Sequence, residues 1–203
     1  MNKKRKIYIL AFILLVVIGS AFLAGKFVTS KGNKEPKSYE AGIIEGNHYK
    51  SKWIGLQLEV PQEFHMYTRE ELDQRMKEAE EEEKNLIMDM CASSNDMGSI
   101  TINVENCGKS VSNTEEYLQS KRKEMLENNG EVMKFKGDGT ISNETIAGQK
   151  YNRLKMEYTL DDLEFCTEIY VRMIEDSVVV IQIDYDPAKK SDRDLLFQSF
   201  QEF

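Results

Sequence analysis

Cys91, Cys107, Cys166, His48 and His65 are the side chains with which this chain of 203 residues could do covalent chemistry. A thiol or hydroxyl nucleophile needs a base beside it. No cysteine lies near either histidine in sequence, and no G-x-S-x-G turn is present. The cysteine spacing fits neither a zinc site nor a C-x-x-C redox pair, so three free thiols are expected. Gly108-Lys109-Ser110 sits between a strand and a helix, where a phosphate-binding loop would sit. That motif needs a second glycine five residues earlier, and the position is Asn103, inside an alternating strand. The tripeptide therefore reads as a polar turn. Glu78 and Glu80 to Glu83 diverge around a helix by about 100° per residue, which makes a solvated face and not a converging calcium cage. Asp184 and Asp186 alternate to one side of a strand and are the remaining candidate for a cation. The expectation is no catalytic residue, no metal site and no cofactor. For binding, the candidates are Trp53, the sole tryptophan, at a hairpin tip, and the acidic face Glu80, Glu81, Glu82 and Glu83. Trp is a common interface anchor.

Charge narrows the partner. All 35 acids fall in residues 31–203 with 22 of the 27 bases, a balance of −13 there. Such a surface repels phosphate backbones, which excludes nucleic acid and favours a basic protein partner. The first 30 residues carry five bases and no acid. Residues 7–25 are uncharged and apolar, and four bases precede them. A helix of that length spans most of a hydrocarbon core of about 30 Å. The positive-inside rule then leaves residues 1–6 in the cytoplasm and sends the rest out. A single-pass anchor in the cell membrane is the expectation, and a cleaved signal peptide is the alternative.

The elements that must position the candidates follow from periodicity. Residues 26–47 read as a linker, polar and broken by Gly32 and Pro36, and residues 48–203 as the extracytoplasmic domain. Strands are expected at 48–52 and 56–60, the second ended by Pro61. Thr68 and Glu71 form a capping box for a helix reaching about 84. Strands at 86–92 and 99–106 flank turn residues. Ser112 and Glu115 open a second helix that ends near 129. A strand at 132–136 precedes three long ones at 149–160, 163–174 and 177–185. Asp161-Asp162 and Glu175-Asp176 leave room only for tight antiparallel hairpins. Val178 to Ile181 is apolar on both sides, as in a central strand covered on both faces. Ser191 and Asp194 start a short closing helix.

Gly55-Leu56-Gln57-Leu58-Glu59-Val60-Pro61-Gln62-Glu63-Phe64 resembles the opening hairpin of the Mog1/PsbP-like fold and of DcrB-like bacterial envelope proteins within it. Ala147-Gly148-Gln149-Lys150-Tyr151, leading into the meander, and the closing Ser199-Phe200 extend the resemblance over residues 43–203. It implies an α+β domain, an antiparallel sheet of about six strands flanked by helices in a Mog1/PsbP-like sandwich, here preceded by one N-terminal transmembrane helix. It carries no functional residue over. The expected function is a membrane-anchored extracytoplasmic binding or interaction domain without catalytic activity. A structural accessory subunit of an envelope complex, or a hydrolase-type enzyme using Asp184 and His65, are the alternatives.

Overall fold

The computed structural model describes residues 38–78, 86–94, 98–107, 111–129 and 132–203. Its strands are β1 (Ile43–Glu45), β2 (His48–Ser51), β3 (Leu56–Glu59), β4 (His65–Met66), β5 (Leu86–Ser94), β6 (Gly98–Asn106), β7 (Lys134–Phe135), β8 (Thr140–Ile146), β9 (Gln149–Leu160), β10 (Leu163–Ile174), β11 (Ser177–Tyr185) and β12 (Phe200–Glu202). The described helices are α1 (Arg69–Glu78), α2 (Thr114–Asn129) and α3 (Lys190–Gln198), the last entered through a 3-10 turn at Pro187–Lys189.

These strands form two antiparallel sheets, not the single sheet of about six strands that was expected. The small sheet runs β1-β2-β3-β12 and the large one β4-β5-β6-β11-β10-β9-β7, with β8 also pairing with β9. The domain is mostly β with few helices, which corrects the α+β class. The physical reason lies in the inner side chains of the small sheet. Tyr49, Leu56, Leu58 and Phe200 pack with Ile100, Ile102, Val179, Ile181 and Ile183 of the large sheet in one core. Two apolar sheet faces bury each other as well as a helix would, and each buried Leu or Ile contributes about 1.5–3 kcal/mol.

The opposite face of the large sheet is where α1 and α2 lie. Leu72 of α1 packs with Leu86, Met88 and Cys91 of β5. Tyr117 and Leu118 of α2 pack with Leu154, Met156, Ile169, Val171, Val178 and Val180. Both faces of β11 are thus covered, all nine of its residues are buried, and it lies between β6 and β10 at the sheet centre. The α1 capping box forms: the Thr68 N–H donates to Glu71 Oε2 at 2.7 Å, and the Glu71 N–H to Thr68 Oγ1 at 3.3 Å. Helix α2 starts later than Ser112. Its cap is Asn113, whose Oδ1 accepts from the Glu116 N–H at 2.8 Å, while Ser112 Oγ donates to the Glu116 carboxylate.

The tight turns come where acids replace the usual glycines: Asp161, Asp162 and Glu175 all have positive φ, between 48° and 66°. Strand β1 falls within the stretch 26–47, ahead of residue 48. The N-terminal transmembrane helix has no counterpart among the described elements. Residues 7–25 lie outside the described residues, and among those described no helix is long and apolar enough to cross a membrane.

Candidate functional site

Asp89 is the chemical centre of one end of the domain. It sits in the middle of β5, where the register with β6 shifts between Met88 and Met90. The shift is a β-bulge, which inserts one residue and re-aims its neighbours. Leu86 and Met88 before it face α1, whereas Met90 and Ala92 after it face the small sheet. Asp89 itself is fully buried. Its Oδ1 accepts from Tyr39 Oη at 2.8 Å, the Gly42 N–H at 2.9 Å and Arg69 Nη2 at 3.0 Å, and its Oδ2 from Tyr49 Oη at 2.5 Å. Burial, and next the Asp89 charge, push the Tyr49 hydroxyl well above its ordinary pKa, so it remains a donor. Arg69 also donates to the carbonyls of Gly42 and Asp89, each at 2.9 Å.

Trp53 lies beside this cluster, in the turn between β2 and β3. It is half-buried and packs on the core. Its ring meets Tyr39 edge-on at 5.4 Å, and its Nε1 donates to Ser38 Oγ at 3.2 Å. Ser38 Oγ in turn donates to Glu175 Oε2 at 2.7 Å, at the β10–β11 turn. Of the residues proposed for partner contact, Trp53 is therefore engaged by the chain's own Ser38 and Tyr39. Glu80, Glu81, Glu82 and Glu83 lie outside the described residues, as does Gly108-Lys109-Ser110.

A second polar cluster lines the helix-bearing face of the central strands. Ser99 and Thr101 of β6, Gln182 and Asp184 of β11 and Thr167 of β10 are all buried there. Asp184 Oδ1 accepts from Thr167 Oγ1 at 2.6 Å, and Oδ2 from Gln182 Nε2 at 2.8 Å and Ser99 Oγ at 3.1 Å. Burial raises the Asp184 pKa, opposed by bonds from Thr167, Gln182 and Ser99. A carboxyl with a raised folded pKa favours the protonated fold. Its contribution is greatest below the unfolded value of about 3.9 and is lost as pH rises through the folded value. Asp184→Asn should therefore gain stability over the parent as pH rises from about 4 to 7. Denaturant midpoints of both proteins across that range check this, and equal midpoints throughout would contradict it.

The sequence-level candidates do not converge. Asp186 caps the 3-10 turn, accepting from the Ala188 N–H at 2.9 Å, and is not a second ligand beside Asp184. His65 Nε2 stands 3.5 Å from Glu71, and His48 Nε2 stands 4.0 Å from Glu59. Register carries His65 to Ser93 and Ser99 to Asp184 in one cross-sheet row. Ser93 Oγ, however, shares its hydrogen bond with Tyr67 Oη at 3.1 Å. All three cysteines are free thiols. Cys91 lies opposite Thr101 in the β5–β6 pair. Burial pushes the thiols of Cys91 and Cys107 up to about 12 and that of Cys166 to about 11, too high for thiolate chemistry near neutrality.

Sequence reasoning missed Asp89, Arg69 and Tyr39. The signal for Asp89 was present: a lone acid breaks the otherwise apolar run from Leu86 to Ala92. A lone buried acid needs several donors, and that requirement marks it as a hub.

No protein-family model matches the chain, and no curated protein matches it. Among solved structures it is similar to a cyanobacterial PsbP from Synechocystis, at 10% identity and a TM-score of 0.49 over 84% of this chain and 98% of that one. It is also similar to LpqN, involved in cell envelope biogenesis of Mycobacterium tuberculosis, at 12% identity and 0.45 over 79% and 88%. A Bacteroides thetaiotaomicron protein gives 8% identity and 0.44 over 79% and 49%. The PsbP-like resemblance read from the sequence is found again in this set.

Proposed function

We propose that this domain is a non-catalytic binding module. It is held outside the cell membrane through residues 7–25 and meets a basic protein partner through its acidic surface, with Glu80 to Glu83 as contacts. One observation carries the non-catalytic reading: groups that could do chemistry are already spent on one another. Asp184 is held by three donors, Ser93 is bonded to Tyr67, and burial keeps the thiols protonated. The location is supported by the uncharged run after four bases. The basic partner is supported by the −13 balance of residues 31–203, since a negative field speeds approach of cations.

The test uses the purified full chain and a lysine-rich polypeptide as probe. Association should slow severalfold between roughly 50 and 300 mM salt, as screening shortens the reach of exposed charges. An uncharged polypeptide should not associate. A salt-independent on-rate would remove charge from the reading. Turnover of ester, phosphate or peptide substrates that survives repurification would replace binding with catalysis.

A further inference from the structure

The edge of a sheet is a row of backbone N–H and C=O groups ready to pair with another strand. Three edges of this fold are guarded. Strand β4 has only two residues, and beyond it Arg69 donates to the carbonyls of Met88 and Asp89 on β5, at 3.3 and 2.9 Å. Strands β1 and β12, the margins of the small sheet, have three residues each. The fourth edge is β8, with the two-residue β7 beside it along β9. Strand β8 runs for seven residues, Thr140–Ile146, and pairs with β9 alone among the described residues. Its register is unbroken from Thr140 opposite Lys155 to Ile146 opposite Gln149, so no bulge twists it away. It contains no proline, lysine or arginine. Its one charged residue, Glu144, makes no ion pair or side-chain hydrogen bond among the described residues.

We propose that β8 is the docking edge for β8 of a second copy of this chain, paired antiparallel about Asn143. In that register the strand is complementary to itself. Ser142 comes opposite Glu144 of the second copy, Ile141 opposite Thr145, and Thr140 opposite Ile146. Each Glu144 is thereby set against a serine and not against its own counterpart, which avoids like charges directly opposed. Each also gains a cation. Arg153 is the cross-strand neighbour of Ser142 on β9, and its Nε donates to Ser142 Oγ at 3.2 Å. Glu144 of the second copy arrives beside that guanidinium. At the two-fold axis, Asn143 Oδ1 accepts from Asn152 Nδ2 at 2.7 Å, which leaves the Asn143 amide N–H groups to donate to the second copy. The pairing joins the large sheets of both copies into one and keeps both α2 helices on the same face. The −13 balance of residues 31–203 opposes the approach of two copies, but exposed charges are screened beyond about 8 Å at physiological ionic strength. Short-range pairing then decides the contact. The inference rests on neither the membrane location nor a basic partner, so it stands or falls apart from the preceding proposal.

The test is position-specific cross-linking of the full chain. Asn143→Cys sets two thiols opposite each other at the axis, where paired Cα atoms of antiparallel strands stand about 4.5–5.5 Å apart, within disulfide reach. Mild oxidation should give a covalent dimer whose linkage maps to position 143 in both copies. Thr140→Cys, at the end of the same strand, lies about 20 Å from its own counterpart in this register. It should cross-link at least about 10-fold less. Adding Glu144→Arg to Asn143→Cys sets an arginine against Arg153 and should lower the cross-link by about 10-fold. Both positions are on the exposed margin, and a retained cooperative thermal transition shows that each variant is folded. Equal linkage at 143 and 140 would mean a contact made elsewhere, such as through residues 7–25, and would overturn the inference. So would folded Asn143→Cys that stays monomeric, or a cross-link indifferent to Glu144→Arg. Oxidation in the producing cells that joins position 143 to a different protein and not to itself would give the edge another occupant and overturn it as well.

Discussion

Replacing Asp89 with alanine should cost about 3–5 kcal/mol, the range for removing one partner of a buried charged network. The carboxylate is fully buried and is the shared acceptor for four donors. Alanine strands the Tyr49 hydroxyl inside the core, where an unsatisfied polar group costs about 1–3 kcal/mol by itself. The Gly42 N–H and the Tyr39 hydroxyl lose the same acceptor. Arg69 is about a third exposed, so its charge rehydrates and adds less. Asp89→Asn keeps the shape and one acceptor oxygen and should cost clearly less than Asp89→Ala. Denaturant unfolding of the full chain measures both. A loss under about 1 kcal/mol for Asp89→Ala, the size of one ordinary hydrogen bond, would show that the hub does not hold this end together.

How much of this was legible in the sequence depends on the range of the interaction. The strands β9, β10 and β11 begin and end at the residues expected from alternation and two-residue acidic turns. Both signals are local. The capping box of α1 is also local and forms as expected. The number of sheets is not local. Alternation in Leu56 and Leu58 announces a half-buried strand but does not say which strand lies beside it. In the fold β2 lies on one side, as the hairpin implies, and on the other lies β12, from the far end of the chain. Strands β1, β4, β7 and β12 have two or three residues each, too few to display a period. Strand β8, with Thr140, Ser142, Asn143, Glu144 and Thr145, carries little apolar alternation because it pairs only with β9 at the sheet margin. The candidate site shows the same limit. Trp53 falls at the hairpin tip, as its neighbours suggest. Its partner Tyr39 comes from a stretch that reads as linker, and the two meet only because Asp89 gathers that stretch from 47 to 50 residues away in sequence.

Glu168→Ala should be the other severe substitution, at about 3–5 kcal/mol. It reports on how the C-terminal helix is fixed to the sheet. Glu168 lies on β10, buried on the small-sheet side. Its Oε2 accepts from Arg193 Nε at 2.9 Å and Nη2 at 2.8 Å, a two-pronged pair reaching from α3. The Tyr170 hydroxyl donates to the same oxygen, and the Tyr185 hydroxyl donates to Oε1 at 3.0 Å. Burial alone would raise the Glu168 pKa. The hydrogen bonds from Tyr170 and Arg193 and the Arg193 charge outweigh it and hold the carboxyl below its usual range. Removing the carboxylate leaves a guanidinium that is 12% exposed and two hydroxyls without their acceptor. A loss of that size should lower the thermal midpoint by roughly 6–20 °C for a domain of this length. The pH dependence carries the sign. A depressed folded pKa gives stability that is present above the unfolded value of about 4.3 and is lost as pH falls through the folded one. The gap between parent and Glu168→Gln should accordingly narrow as pH is lowered below about 4. Arg193→Ala leaves Glu168 with its tyrosines and with Arg153, whose Nη1 stands 4.0 Å from Oε1 but makes no close two-pronged pair. The double variant should therefore be less unstable than the sum of the two singles, with a coupling of about 0.5–3 kcal/mol. Additive losses, or a Glu168→Gln gap that stays constant with pH, would show that α3 is held by the apolar contacts of Leu196 and Phe197 and not by this pair.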